Sequence, residues 1–448
     1  MPGLQVRGYP LKKRVTVVGA GLAGSELALQ LAARGIEVQL IEMRPTLSTP
    51  AHKTPYCAEL VCSNSLKSEH PETASGLLKR ELRMLGCKLI AMAEETRVPA
   101  GHALAVDRDY FARMVTGLVE ANPLITLGRF EQEDLELPPC SVIATGPLTS
   151  KKLSRAMQEH FSAEHLYFYD AISISVSTHS VDSEYAFKAS RYGKGGDDYW
   201  NIPLSKREYG RLVEFVLDAP KLEKRGFEET RCFEACLPIE VLAARGMDTL
   251  RFGPLKPKGL RDPKTGREPY AVLQLRQETK DGTMLGLVGF QTRLTRGAQR
   301  ELLELIPGLG SAEILRWGSI HRNTFLDSPR LLDEKQMSRN RAGLFFTGQI
   351  VGVEGYVESI AHGLIISLAV RRYLEGRSLP LFPRETLLGA LQMHLKEGRS
   401  PFQPMNVNFG LLPPVPVKGK SGKKILVERS LSHLEDFIAR NLTDALKR

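Results

Sequence analysis

Apolar and polar positions along this chain fall into blocks whose period switches between strand and helix. The first block is the sharpest. Val15 to Val18 form a short unbroken apolar run, and a turn of small residues follows: Gly19, Ala20, Gly21, Leu22, Ala23 and Gly24. Leu27, Leu31 and Ala32 then recur at helical spacing, and Val38 to Ile41 form a second apolar run that ends in Glu42. Residues 44–72 break the pattern with Pro, Thr, Ser and Asn around one short apolar run, which predicts a long ordered loop. Helical spacing returns over 75–86, with leucines at 77, 78, 82 and 85, and over 107–120, capped by Asp107. A short buried strand at 141–144 runs into Thr145 and Gly146.

Between 165 and 330 the pattern changes. Strand-like stretches (AISISVS, AVLQLRQ, LGLVGFQT) mix with charged, Gly- and Pro-rich turns, and no second glycine fingerprint appears. The first pattern comes back at 343–375. A strand, Leu344–Phe346, leads through Gly348, Gln349, Gly352 and Gly355 into a long apolar helix that carries Glu358 and His362 and reads as buried core. The tail ends in an amphipathic helix, SLSHLEDFIARNL, and its lysine cluster at 418–424 reads as a solvated loop. Together these blocks predict an α/β protein: a discontinuous Rossmann-type domain over 11–164 and 331–448, with an α+β insertion over 165–330.

Strand, glycine turn, helix, strand and terminal acid make up the dinucleotide-binding fingerprint in its full context. Gly19 permits the tight turn, Gly21 lets the backbone approach a pyrophosphate, and Gly24 lets the helix pack closely on the strand. The helix start offers unpaired N–H groups to the phosphates. Glu42 suits an unphosphorylated ribose, as in FAD or NAD. The Ala-Thr-Gly strand end at Thr145 and Gly146 is similar to the one that closes the first nucleotide half in flavoproteins with two dinucleotide folds, a plain strand-to-loop exit being the alternative. The glycines at 348–355 have no strand and acid after them, so they are no second adenosine site. They suit the flavin end of FAD.

The chain has 448 residues, 42% hydrophobic and 25% charged, which describes a globular protein too long for one small core. Its formal charge of +10 is compatible with a polyanionic partner such as nucleic acid, a merely basic soluble enzyme being the alternative. The insertion supplies Arg191, Lys194, Lys256, Lys258, Arg261, Lys264 and Arg267 as candidate phosphate contacts, a solvated charged face being the alternative. Six cysteines are too few for a disulfide scaffold, no C-x-x-C pair occurs, and no metal site is expected. Residues 1–13 lack the apolar stretch of a signal peptide, and no run of about eighteen apolar residues occurs. A reduced, cytoplasmic, soluble protein is expected. Cys236 precedes Pro238 at a predicted helix start with proline in its first turn, a setting that stabilises a thiolate. Cys62 lies in the polar loop beside Ser63 and Asn64.

Five stretches together resemble the folate- and FAD-dependent tRNA (uracil-5-)-methyltransferase family. They are GAGLAGSE with EMRPTLSTPAHKT, AELVCSNSLK, RYGKGGDDYWN with FEACLPIEV, GFQTRLTRGAQ with IPGL and HRNTF, and TGQIVGVEGYVES with PMNVNFGLLP. Cys57 and Ala235 depart from the family pattern, which has an aromatic residue and a glycine there. The resemblance implies methylation of carbon 5 of uridine 54 in the tRNA T-loop. The carbon would come from 5,10-methylenetetrahydrofolate, with reduced FAD as reductant and methylene carrier and NADH or NADPH reducing the flavin. It also implies that Cys236 adds to uracil carbon 6 and that Cys62 is a second cysteine close to the flavin, which either takes the carbon-5 proton or handles a methylene-flavin intermediate. His52, His321 and Asn323 are site candidates by motif, and Arg44 joins the cofactor set. The oligomeric state stays open. The alternatives are a tRNA wobble-uridine modifying flavoprotein, a plain FAD-dependent oxidoreductase, or a non-catalytic RNA-binding flavoprotein.

Overall fold

The computed structural model describes residues 14–49, 51–162, 166–193, 196–222, 237–378, 380–398, 402–417 and 419–442. Its first sheet has five strands in the order 344–346, 141–143, 14–18, 37–42, 125–129. Every pairing is parallel, with Val15 opposite Val38 and Val17 opposite Leu40. Near-continuous apolar runs suit such strands because helices cover both faces of a parallel sheet. The first strand lies between 37–42 and 141–143, so Gly19 and Thr145 leave the sheet side by side at its carboxyl edge. That crevice is where open α/β sheets bind ligands.

Two helices meet behind the crevice. The helix Leu22–Ala32 begins directly after the glycine turn and is buried along its whole length. The helix Tyr356–Leu374 is buried from Val357 to Val370, as its apolar sequence predicts. They cross at Gly363, where a Cβ would lie 2.3 Å from Ala23 O, so only glycine allows this approach.

A second sheet is antiparallel. It runs 314–316, 166–177, 284–291, 271–277, 199–204, 187–188, with 319–325 pairing along the first half of 166–177. One hydrophobic core gathers residues from Val15 to Phe161 and again from Phe325 to Leu442, and another gathers residues from Ile174 to Ala312. Side-chain bonds tie the two regions at Asn64 to Gln277 O, Arg108 to Glu278, and Gly101 N to Asp198.

Three local expectations are corrected. The lysine cluster at the tail does not form a loop from 419 on: it begins a helix, Gly419–Asn441, far longer than the stretch with clear apolar spacing. Pro238 sits at the N-cap rather than in the first turn of its helix, Ile239–Ala243. The long polar loop ends in a short strand, Ser65–Ser68, that pairs with 103–106.

Candidate functional site

The glycine turn is shaped by what a side chain would strike. Gly19 has φ +102°, and a Cβ there would lie 2.6 Å from Ala144 O on the neighbouring strand. A Cβ on Gly24 would lie 1.9 Å from Gly19 O. Gly21, the N-cap of the helix, has open space where its Cβ would be and leaves the helix start without a side-chain cap. Gly21 borders a cleft also lined by Gly19, Glu42, Arg44, His52 and Thr145, where a helix start of this kind offers backbone N–H groups to an anion. Gly146, at φ +65°, also has open space beside it, and Thr145 Oγ1 is 2.6 Å from Thr149 Oγ1.

Glu42 closes this cleft. Its carboxylate is buried, accepts the Ala20 N–H at 2.9 Å, and accepts Arg44 N and Nε at 3.1 and 2.8 Å. Burial works against its charge, but the Arg44 guanidinium and the backbone N–H groups of Arg44 and Ala20 together outweigh burial and hold the carboxyl below its ordinary value. Arg44 is buried too, and its Nη1 donates to Glu59 Oε2 at 2.8 Å. Arg44 lines the cleft, and its Nε and Nη1 organise Glu42 and Glu59. The cradle fits an adenosine diphosphate moiety: an ionised acceptor for hydroxyls at one end, a glycine-lined helix start at the other.

The closing segment carries its own constraints. Gly348 (φ +81°) backs onto Ala23, where a Cβ would lie 2.7 Å from that methyl group. His362 Nδ1 lies 2.9 Å from Thr347 Oγ1 and accepts the Gly348 N–H at 3.2 Å. Burial pushes His362 down to about 3, so the ring is neutral and structural. Gly352 packs against the Phe402 ring, and Gln349 Nε2 donates to Glu354 at 2.6 Å. Gly355 (φ +113°) caps the long helix, and a Cβ there would enter the space held by Glu358, Lys67 and Asn406. Lys67 Nζ is 2.8 Å from the fully buried Glu358.

Cys62 is brought to this same helix start. Its N–H donates to Tyr356 Oη at 2.8 Å, and its Sγ lies 2.8 Å from the same oxygen. Three arginines hold its loop: Arg108 on Leu60 O at 3.5 Å, Arg316 on Val61 O at 3.4 Å, and Arg276 on Ser63 Oγ at 3.0 Å. Cys57, Cys87 and Cys140 differ, because each is buried and burial pushes its thiol up, Cys140 to about 12. Cys236 lies outside the described residues, as does Lys194. Just beyond Cys236, Glu240 is tied to Thr292 Oγ1 at 3.0 Å and Arg293 N at 2.8 Å. Of the basic set, Arg191 is spent on Gln274 Oε1 and Lys256 O, and Lys264 bonds Glu184 O. Lys258, Arg261 and Arg267 are exposed.

A profile of the family described as GIDA, glucose inhibited division protein A, matches residues 14–378. The methylenetetrahydrofolate--tRNA-(uracil-5-)-methyltransferase TrmFO of Geobacter sulfurreducens is 51% identical over 429 residues, 95% of this chain and 99% of that protein. The Natranaerobius thermophilus protein of the same name is 50% identical over 435 residues, 96% of this chain and 100% of that protein. The chain belongs to the GIDA family, in its tRNA (uracil-5-)-methyltransferase branch. The solved structure of Aquifex aeolicus GidA matches with a TM-score of 0.70 at 15% identity, over 96% of this chain and 74% of that one. That is a likeness of fold.

Family membership agrees with the α/β architecture read from the sequence. Sequence reasoning missed Glu59, Lys67, Arg108, Arg276, Arg316 and Tyr356 around the site. Two carried a local signal: Tyr356 directly follows Gly355, and Lys67 closes the Cys62 motif. The arginines carried none, since each is one basic residue on an ordinary helix or strand. Among the described residues, no helix is long and apolar enough to cross a membrane.

Proposed function

We propose that this chain methylates carbon 5 of a tRNA uracil, uridine 54 of the T-loop, with 5,10-methylenetetrahydrofolate as the carbon donor. The observation that carries the reading is near-full-length identity of about half to relatives named as methylenetetrahydrofolate-dependent tRNA-(uracil-5-)-methyltransferases; position 54 follows from the family resemblance. The cradle supports FAD: Gly19, Gly21 and Gly24 with Glu42 would hold its adenosine half, with Thr145 and Gly146 beside them. Gly348, Gln349, Gly352 and Gly355 would face its flavin half. When bound, FAD supplies the electrons that take the transferred carbon to a methyl group, after reduction by NADH or NADPH.

The protein's own part begins with the base. Carbon 5 of uracil is a poor nucleophile until a thiolate adds to carbon 6 and turns the ring into an enolate. Cys236 is that thiolate in this reading. Cys62, part-exposed beside the closing helix, removes the carbon-5 proton. A folded tRNA reaches both by phosphate contacts to exposed Lys258, Arg261 and Arg267, with the target base flipped out of its stack. Residues 165–330 form the insertion that presents them, between the two parts of the FAD domain. The setting is the cytoplasm, where tRNA is modified. The test is incubation of the purified protein with an unmodified tRNA transcript, reductant and methylenetetrahydrofolate. 5-Methyluridine should form; its formation with S-adenosylmethionine instead would refute the reading.

A further inference from the structure

Tyr356 is placed where its hydroxyl has one way to share its hydrogen bonds. The oxygen lies 2.8 Å from the Cys62 amide nitrogen and 3.2 Å from the Ser63 amide nitrogen. Backbone N–H groups only donate, so both bonds use the oxygen as acceptor. A phenol has one proton to give, and the remaining partner is Cys62 Sγ at 2.8 Å. We infer that Tyr356 donates its proton to Cys62 Sγ and so holds the sulfur as an acceptor, the arrangement that favours thiolate over thiol. Tyr356 is then a positioning residue for Cys62. The inference deepens the proposed use of Cys62 as a proton acceptor and rests on that reading.

Three surrounding features act in the same direction. Burial first, and the neighbouring Cys62 second, push the Tyr356 phenol well above its ordinary value, so it keeps its proton at neutral pH. Tyr356 is the first residue of a nineteen-residue helix, so Cys62 sits at the positive end of a long macrodipole. The arginine clamp adds charge: Arg108, Arg276 and Arg316 bond to residues 60, 63 and 61, and the carboxylate of Glu278 takes one bond from Arg108, at 2.5 Å. Positive charge beside a sulfur stabilises the deprotonated form. The clamp also fixes the backbone on both sides of Cys62, so that the sulfur stays on the phenol. Cys62 and Tyr356 are 294 positions apart in sequence, and the closing helix and the polar loop meet at this bond.

Alkylation of Cys62 by iodoacetamide tests this directly. It is followed for the Cys62 peptide by mass spectrometry in flavin-loaded protein from about pH 5 to about pH 9. Wild-type Cys62 should be modified at lower pH than an unstructured cysteine peptide. Tyr356→Phe should slow its modification at neutral pH about tenfold, with flavin content and melting temperature retained. A tyrosine that merely braces the loop would give the opposite sign, because loosening the loop exposes the sulfur. Equal or faster alkylation in Tyr356→Phe therefore overturns the inference. So does a wild-type profile that matches the free peptide or shows no modification at neutral pH, whether or not the variant folds. Neither readout needs methyl transfer. Failure of the methyltransferase reading would show separately, as absent 5-methyluridine with the alkylation profile intact.

Discussion

Glu42 and Arg44 form a buried ion pair in which Arg44 Nε lies 2.8 Å from Glu42 Oε1. The pair fixes the acid of the fingerprint in its ionised form, with its second oxygen on the Ala20 N–H. Removing one partner of a buried pair leaves an uncompensated charge, which costs about 3–5 kcal/mol. Arg44→Met is expected to destabilise the protein by about that amount and to lose flavin on purification. Denaturant unfolding and flavin absorbance check both parts.

The same pair predicts an acid sensitivity. Glu42 is held below its ordinary value in the folded protein, so its contribution is complete above the unfolded carboxylate range and is lost as pH falls through the lower folded value. Stability should drop on acidification below about pH 4.5, and Glu42→Gln should flatten that part of the curve. Thermal melts across this range read the difference.

Glu81 predicts a slope of the other kind. It is fully buried and accepts Leu387 N at 2.9 Å, Leu388 N at 3.0 Å and Ser430 Oγ at 2.6 Å, joining the helix Leu387–Glu397 to the tail helix. Burial raises it to about 7 despite these donors. The folded state then binds the proton more tightly than the unfolded chain. The stabilisation is full below the unfolded carboxylate value and falls as pH rises through about 7. Glu81→Gln should remove this decline between mildly acidic and neutral pH, measured by denaturant midpoints at several pH values.

Two glycines separate steric need from conformational strain. Gly24→Ala places a methyl group 1.9 Å from Gly19 O, a backbone atom that cannot give way. It should cost about 3 kcal/mol or more and empty the cradle of flavin. Gly146→Ala meets open space and pays only for φ +65°, about 1 kcal/mol, and should still bind flavin. Flavin content and melting temperature of the two variants give the comparison.

Cys236→Ser is expected to abolish methylation while FAD stays bound, because a hydroxyl does not form the carbon-6 adduct at neutral pH. A variant that methylates at close to the wild-type rate would remove Cys236 from its proposed role.

The nucleotide cradle was legible because each part answers to a local rule. Gly19, Gly21 and Gly24 are spaced by what a turn and a close-packed helix demand, and Glu42 ends a strand that apolar periodicity marks. The Cys62 environment was not legible, because it is made by contacts across the chain: Tyr356, Arg108, Arg276 and Arg316 come from four separate elements. The partners of Arg191 were hidden for a related reason. Its charge suggested a free phosphate contact, while the fold places Gln274 and the Lys256 carbonyl against it. The first turns of the tail helix carry lysines and glycines without an apolar stripe, so periodicity could not reveal them.

The most direct measurement follows the donor carbon. The protein is given methylenetetrahydrofolate labelled at its methylene carbon, with NADH or NADPH and a tRNA transcript carrying uridine 54, and a second transcript lacking that uridine. Label should appear as 5-methyluridine at that position in the first transcript and be absent from the second. Unlabelled tRNA in both, or label that follows S-adenosylmethionine instead, would contradict the assignment.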